Sequence, residues 1–259
     1  MNNRYKFEKE NHLHTLDGKP LTGTSSVIDV LAKPLTWWAA GKAVEKLGWK
    51  NSRYVSEEER MASATEVLGL IKDMEVADYL SLLDKAYRAH NDEKNKAATK
   101  GTNLHAELEH WVKSQMGILP ERADYDNKII PFVKWAEKNV DRFLFSEAHT
   151  YSERLWTGGI IDAGAKLKDG SITIIDFKSS KEAYTGQFIQ AGGYALQAEE
   201  SGVFEDGKEK RLDGVVGKLI IVPFGADPVL PVIMSDVQAY KDGFESAVKL
   251  YRLIFNHKE

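Results

Sequence analysis

The sequence contains no cysteine among its 259 residues. Disulfide bonds, cysteine nucleophiles, zinc ribbons and cysteine-bound iron–sulfur clusters are therefore excluded. No stretch approaches the roughly 20 apolar residues that a membrane-spanning helix needs, and the first residues lack the apolar run of a secretory signal. We therefore expect no membrane partner. The sequence also has no Walker lysine loop, which argues against an ATP-driven motor.

Positive charge is not in excess. The chain has 35 Lys and Arg against 39 Asp and Glu, a net charge of −4. This argues against a protein that coats DNA nonspecifically, because such a surface needs many cations. It does not exclude an enzyme with a local basic channel, particularly where bound cations offset the carboxylates of the site. The content of 42% hydrophobic and 29% charged residues is typical of a globular protein with a core.

The pattern of apolar residues changes near residue 140. Residues 12–24 predict a hairpin that turns at Asp17-Gly18, and Ser26 and Asp29 have the spacing of a helix capping box. From residue 36 to 139, apolar residues recur at spacings of three and four, which predicts several helices, with separate helices over 76–90 and 101–117 among them. Pro131 lies in the first turn of the last helix or breaks it. We interpret residues 1–259 as one domain, with an N-terminal hairpin and helical part (1–140) and a sheet core (141–259).

The second half alternates between strand and helix patterns. A strand–helix–strand passage within it predicts parallel strands joined by a crossover helix. The predicted fold class is therefore α/β, with a helical N-terminal half packed on a small, mixed, twisted sheet. The predicted strands are 143–152, 158–167, 171–177, 214–224 and an edge strand within 228–234, and the predicted helices are 186–201 and 237–255.

Two acidic residues on adjacent strands form the sharpest chemical pattern. Asp176 and Lys178 end an apolar strand and share one face, because side chains alternate with a period of two. Asp162 on the adjacent strand can supply a second carboxylate, and a hard divalent cation relieves the repulsion between the two. Lys178 could then stabilise a phosphorane or orient a water. The alternative is an ordinary exposed ion pair, which is common at strand ends.

Further polar residues fit the same site. His105 and Glu109 lie one helical turn apart, so a neutral imidazole could bind the metal, although a lone histidine is more often structural. Gln190 and Tyr194 have the same spacing on the following helix and could hydrogen-bond a phosphate or base, or form a simple polar stripe. Glu147 precedes the hairpin, and we expect it to support the site rather than to act in catalysis.

The hairpin between the two acidic strands must have a particular register. A two-residue turn at Asp169-Gly170 would put Asp162 on the face away from Asp176. A three-residue loop, Lys168 to Gly170, pairs Leu167 with Ser171 and puts Asp162 opposite Asp176. The metal-site hypothesis therefore predicts this loop, or a bulge of equal effect between Ala163 and Ala165.

The order of these motifs resembles the PD-(D/E)XK nuclease superfamily, in its RecB-like and phage exonuclease-like branch. The motifs are G-T-x-x-H-x-x-x-E, a later E, G-G-x-x-D, D-x-K and Q-x-x-x-Y, and they cover residues 100–200. The N-terminal stretch L-D-G-K-P-L to L-T-W-W-A also looks like phage-encoded members. Two features depart from the pattern: Ile161 stands in place of the proline that names the superfamily, and this chain lacks the cysteines that hold an iron–sulfur cluster in some relatives.

The resemblance implies a restriction-endonuclease-like core and a metal-dependent DNA nuclease, in particular an exonuclease of phage-type recombination, repair or replication. It implies Mg²⁺ or Mn²⁺ held by Asp162, Asp176 and His105, with Lys178 as the catalytic lysine. Glu109, Glu147, Gln190 and Tyr194 are then supporting or nucleic-acid-binding residues.

The implied partners are DNA and a recombinase or single-strand annealing protein, in the cytoplasm of a bacterial host if the gene is phage-encoded. Ring-forming and monomeric relatives exist, so an oligomer is possible. Two alternatives stay open: an inactive nucleic-acid-binding module of the same fold, and a structural or interaction protein.

Overall fold

The computed structural model describes residues 4–31, 36–205 and 207–255, and for residues 93–102 it describes the backbone alone. The chain forms two compact units, Met1–Ala32 with Gly101–Glu259, and Lys33–Lys100. A compact unit need not fold independently, so the interpretation as one domain stays a prediction. In the part of the chain that is described, no helix combines the length and apolar character needed to cross a membrane.

The N-terminal hairpin forms as predicted. Strands β1 (Tyr5–Glu8), β2 (Leu13–Leu16) and β3 (Lys19–Pro20) make a small antiparallel sheet. Asp17 and Gly18 connect β2 to β3 with φ angles of +52° and +75°. Positive φ at both positions is the signature of the tight hairpin turn that Asp-Gly favours.

The first helix begins earlier than the predicted capping box. Helix α1 spans Thr24–Ile28, and its N-cap residue is Gly23, which makes no side-chain cap hydrogen bond. Ser26 therefore lies inside the helix, and the capping-box prediction is wrong. The reason is tertiary. Strand β4 (Thr22–Gly23) pairs with a strand of the main sheet, and the Thr24 hydroxyl donates to the carbonyl of Gly158 at 3.0 Å. These contacts turn the chain into the helix at Thr24.

Four longer helices follow in the N-terminal half. Helix α3 has a capping box at Ser56 and Glu59, and Pro131 lies in the first turn of α5, as one of the two predicted alternatives. The segments predicted as separate helices, 76–90 and 101–117, are instead parts of one helix of 40 residues. The bounds are α2 Thr36–Glu45, α3 Glu57–Lys72, α4 Val76–Gln115 and α5 Ile130–Asn139.

A mixed sheet occupies the second half. The spatial order is β11-β10-β7-β6-β5-β8-β9, with β4 added against β6. Helix α6 (Thr185–Ser201) connects β7 to the parallel strand β10, as the predicted crossover requires, and β11 is an edge strand. Helix α7 (Val237–Phe255) closes the chain. The strands are β5 Val140–Ser152, β6 Thr157–Leu167, β7 Ile172–Lys178, β8 Val203–Glu205, β9 Lys208–Lys210, β10 Val216–Pro223 and β11 Val232–Met234.

Helices cover both faces of this sheet. On one face, Ile175 and Phe177 of β7 pack in a cluster with Leu108 of α4 and Phe132 of α5. On the other, Ile174 packs with residues of α6. The alternation along β7 is the period of two expected of a strand buried on both sides. The coarse prediction of a mixed α/β fold with a helical N-terminal half is therefore confirmed.

The predicted hairpin loop between β6 and β7 is confirmed. The strands pair from Ala163 opposite Ile175 to Lys166 opposite Ile172. The Leu167 amide donates to the Ser171 carbonyl at 2.8 Å, and Gly170 has a φ of +88°. Three residues, 168–170, therefore form the loop, and the register places Asp162 opposite Asp176.

Candidate metal centre

Strand β6 is irregular at Asp162. Ile161 packs with α6 on one face of the sheet, whereas Ala163 packs with α4 and α5 on the other. Residues two apart on a regular strand point to the same face, so the alternation is interrupted between them. The Asp162 carboxylate takes the place of a backbone carbonyl in the pairing of β6 with β7 and accepts a hydrogen bond from the Phe177 amide at 2.6 Å. This contact holds Asp162 at the point where β6 and β7 separate.

Glu147 lies opposite Asp162 on the neighbouring strand. The register pairs Ser146 with Ala163 and Ala148 with Ile161, so Glu147 falls opposite Asp162. Like charges directly opposite each other destabilise a sheet. Glu147 also has a φ of +51°, a left-handed conformation that costs a residue with a side chain about 1–2 kcal/mol. Two unfavourable features at one position indicate a functional constraint.

His105 on α4 reaches these two carboxylates. Its Nε2 atom lies 3.4 Å from Glu147 Oε1 and 3.5 Å from Asp162 Oδ1. Burial alone would lower the pKa of the imidazole, but the two carboxylates outweigh burial and raise the pKa to about 10. Burial likewise raises the pKa of Glu147, which His105 opposes. In this arrangement a protonated imidazole is the cation that faces the acidic pair.

The three residues can hold a metal ion. One ligand atom from each of His105, Glu147 and Asp162 lies within 4.8 Å of the others. His105 Nε2 and Glu147 Oε1 are buried and have no hydrogen-bond partner among the described residues. Buried polar atoms normally have hydrogen-bond partners. Two such atoms without partners that face each other are consistent with a cation bound between them. Two carboxylate oxygens and one imidazole nitrogen are a donor set that divalent cations accept.

Asp176 and Lys178 form an ion pair beside this group. Lys178 Nζ lies 2.8 Å from Asp176 Oδ2, and Asp176 is 1% exposed. Burial raises the pKa of Asp176 to about 6, although Lys178 opposes it. Burial would lower the pKa of Lys178, but Asp176 and Asp162 reverse this and raise it. The predicted ligand set was Asp162, Asp176 and His105. Among the described residues, the structure brings together only Asp162 and His105 of this set, and Glu147 takes the third place instead of Asp176.

A cleft of about 430 Å³ opens onto the group, and His105, Glu147, Asp162 and Tyr194 line it. The N-terminal hairpin and the first turn of α1 form its other wall. That wall includes His14, which is 4% exposed, and burial lowers the pKa of His14 to about 4, with smaller effects from His149 and His12. His14 is therefore neutral at pH 7.

Gln190 and Tyr194, the i, i+4 pair of α6, are both buried, and their contact with a phosphate or base stays a prediction. The Gln190 amide donates to the Tyr194 phenol oxygen at 3.0 Å. Burial, and then the negative charges of Asp176 and Asp162, raise the pKa of Tyr194 well above its ordinary value. The phenol keeps its proton. Gly159 makes room for it, because a Cβ at this position would lie 2.7 Å from the Tyr194 ring and 2.8 Å from Thr24 Oγ1.

Glu109 lies one turn beyond His105 but outside the metal group. It accepts a hydrogen bond from Lys113 at 2.5 Å. Its negative charge contributes to the raised pKa of Glu147, so it stands close enough to act on the site without holding a metal there.

Comparison with known proteins gives no identification. No family model matches the sequence, and no curated protein matches it significantly. Functional inference for this chain therefore depends on its own residues and their geometry.

A polar network that no sequence pattern predicted fixes the wall of the cleft. The fully buried Gln197 donates to Thr24 Oγ1 and Thr157 Oγ1, each at 2.8 Å, and so ties α1 to β6 and α6. Gln197 lies seven residues after Gln190, on the same face of α6, and this spacing was the available signal. The position of Glu147 in the metal group had no such signal, because a positive φ at a glutamate is not visible in the sequence.

Proposed function

We propose that this chain is a metal-dependent deoxyribonuclease with a restriction-endonuclease-like core. The observation that carries the proposal is the group of His105, Glu147 and Asp162 directly beside the buried Asp176–Lys178 pair. The motif order that resembles PD-(D/E)XK nucleases runs through these residues. The separation of β6 and β7 at Asp162 also supports the proposal, because it opens the sheet where the acidic residues meet.

In the proposed site, His105, Glu147 and Asp162 hold Mg²⁺ or Mn²⁺, and Asp176 adds negative charge next to them. A bound divalent cation supplies Lewis acidity and lowers the pKa of a coordinated water. The reaction is attack of water on the phosphorus of a phosphodiester, so that one P–O bond forms and one ester P–O bond breaks. The leaving oxygen takes up a proton.

Lys178 is the proposed catalytic cation. Its ammonium group is held by Asp176 and stays charged because two carboxylates raise its pKa. An ammonium group at this place can stabilise charge that develops on the phosphoryl oxygens or orient the attacking water. Tyr194, which keeps its proton, provides a second donor in the cleft.

The proposed biological setting is phage-type DNA recombination, repair or replication in the cytoplasm of a bacterial host. Without a motor of its own, the enzyme would act alone or with a recombinase or single-strand annealing protein. An exonuclease mode is part of the proposal, and DNA without ends tests it directly.

The deciding experiment is digestion of end-labelled linear DNA and closed circular DNA, single- and double-stranded, with Mg²⁺ or Mn²⁺. We expect linear DNA to be degraded, circular DNA to survive, and Asp162→Ala and Lys178→Ala to abolish the activity. Asp124→Ala is a matched control, since the Asp124 side chain is 87% exposed. Equal cleavage by wild type and both site variants would place the activity elsewhere or attribute it to a contaminant.

A further inference from the structure

A second pocket lies where β5 begins and β6 ends, beside the loop that joins β6 to β7. Its volume is about 320 Å³, near the lower limit of pockets that bind small molecules. The buried side chains of Phe145, Ile172 and Val203 line its floor. Four basic side chains surround this apolar floor: Arg142, Lys166, Lys210 and Arg211.

Two of these cations oppose each other across the sheet. Arg142 on β5 pairs directly with Lys166 on β6. Like charges in such a pair are destabilising. The register of β5 also shifts on both sides of Arg142, between Val140 and Arg142 and between Phe143 and Phe145. Bulges change the direction of side chains and are frequent beside functional sites. The two irregularities on either side of Arg142 therefore indicate that the position of its side chain has a function.

The surrounding charges leave this pair open to an anion. Arg142 contacts Asp141 at 3.0 Å, but both side chains are about half exposed, and such ion pairs contribute little. Lys210 and Arg211 pair with Glu205 and Glu209.

Lys166 differs from its three neighbours. It has no ion-pair partner within the described parts of the chain, and the only acidic side chain that lines the pocket is Asp213. A phosphate group between Arg142 and Lys166 would remove the repulsion between them.

We propose that this pocket binds a nucleoside phosphate, with the phosphate between Arg142 and Lys166 and the base on the apolar floor. The choice of a nucleoside rests on the proposed nuclease function, which would release nucleotides or present a single strand. Both sources have the same chemistry. The metal centre is a separate site, because the four residue steps from Asp162 to Lys166 span about 13 Å of strand.

Titration calorimetry in EDTA tests this without any catalysis. We expect dAMP to bind wild-type protein, inorganic phosphate to bind more weakly and deoxyadenosine not to bind. Lys166→Ala should weaken dAMP binding at least tenfold, and Lys208→Ala, on β9 but outside the pocket, should leave it unchanged. If oligo(dT) displaces dAMP, the ligand is one nucleotide of a strand; if it does not, the ligand is the free nucleotide.

Three results would overturn the proposal: no dAMP binding, equal binding of deoxyadenosine, or equal affinity in a folded Lys166→Ala variant. Lys166→Gln serves as a second variant if alanine impairs folding. Binding of dAMP should persist in Lys178→Ala, which assigns it to the second pocket rather than to the metal centre. DNA cleavage by wild-type protein that does not bind dAMP would reject the pocket alone, and dAMP binding without cleavage would reject the nuclease function alone.

Discussion

Residues 162–166 of β6 place like charges opposite β5 at both ends of this five-residue segment. Glu147 faces Asp162 at one end, and Arg142 faces Lys166 at the other. The acidic pair is largely enclosed and has His105 between its carboxylates. The basic pair is more open, and the ion pair of Arg142 with Asp141 beside it is about half exposed. Charge repulsion that solvent can screen costs little, whereas enclosed repulsion requires a counter-ion. We therefore expect substitutions at the acidic end to have much larger effects.

The largest expected effect is the loss of cleavage at the acidic end. Asp162→Ala should lose both metal binding and cleavage, since it removes a carboxylate from the metal group. Lys178→Ala should reduce cleavage by about 100-fold or more while metal binding persists, because an ammonium group is no ligand. Calorimetry with Mn²⁺ and a cleavage assay on the same samples separate the two effects. Metal binding lost equally in both variants would contradict these separate roles.

A substitution at Gly159 tests how closely the cleft wall packs on the acidic end. The new Cβ of Gly159→Ala would clash with the Tyr194 ring and Thr24 Oγ1. Overpacking of this kind costs about 1–3 kcal/mol of stability. Gly186→Ala on α6 is the control, because its Cβ would meet only Ile28, at an ordinary 3.7 Å. Denaturant unfolding measures both, and an unchanged free energy of unfolding in Gly159→Ala would show that the wall can move.

His105→Ala tests whether the enclosed acidic pair needs its cation. Without metal, the substitution leaves Glu147 and Asp162 facing each other with no cation between them. We expect the free energy of unfolding to fall by about 1–2 kcal/mol, a small value because the imidazole is partly exposed to solvent. Metal affinity should also fall about 10- to 100-fold. Thermal melts with and without Mn²⁺ measure both. Unchanged stability and unchanged metal affinity would remove His105 from the site.

The smallest expected effect is at the basic end. Lys166→Thr removes one of two opposed cations and introduces a residue that favours strands, so stability should rise by a few tenths of a kcal/mol. Denaturant unfolding at low salt measures the change, and high salt should reduce it. A loss of more than about 1 kcal/mol would show that Lys166 stabilises the fold, and the contrast between the two ends would then fail.

The fold was predictable where local chemistry decides it. Asp17-Gly18 requires positive φ, and the requirement that Asp162 face Asp176 selected the three-residue loop at 168–170. Prediction failed where distant contacts decide. The capping box at Ser26 has correct spacing, yet the pairing of β4 with β6 starts the helix at Thr24. The break expected between residues 90 and 101 is absent. Residues 91–100 contain neither glycine nor proline, so no residue there favours an end of α4.

The site was predictable only in part. The residues His105, Asp162, Asp176 and Lys178 were all identified by type and spacing, and the structure brings His105 to Asp162. The sequence could not show that Glu147 joins them, since its left-handed backbone breaks the alternation from which strand faces are inferred. The sequence also left open whether Asp176 binds the metal or pairs with Lys178, because a carboxylate beside a lysine on one strand face fits both roles.

The hydrogen bond from the Phe177 amide to Asp162 has a consequence for exchange with solvent. Most amides in a sheet are protected by carbonyl groups, which do not titrate, but this one is protected by a carboxylate of the metal group. Any ligand that draws the Asp162 oxygen away leaves the amide without its acceptor. The exchange rate of one backbone hydrogen in the middle of the sheet therefore reports the occupancy of the site.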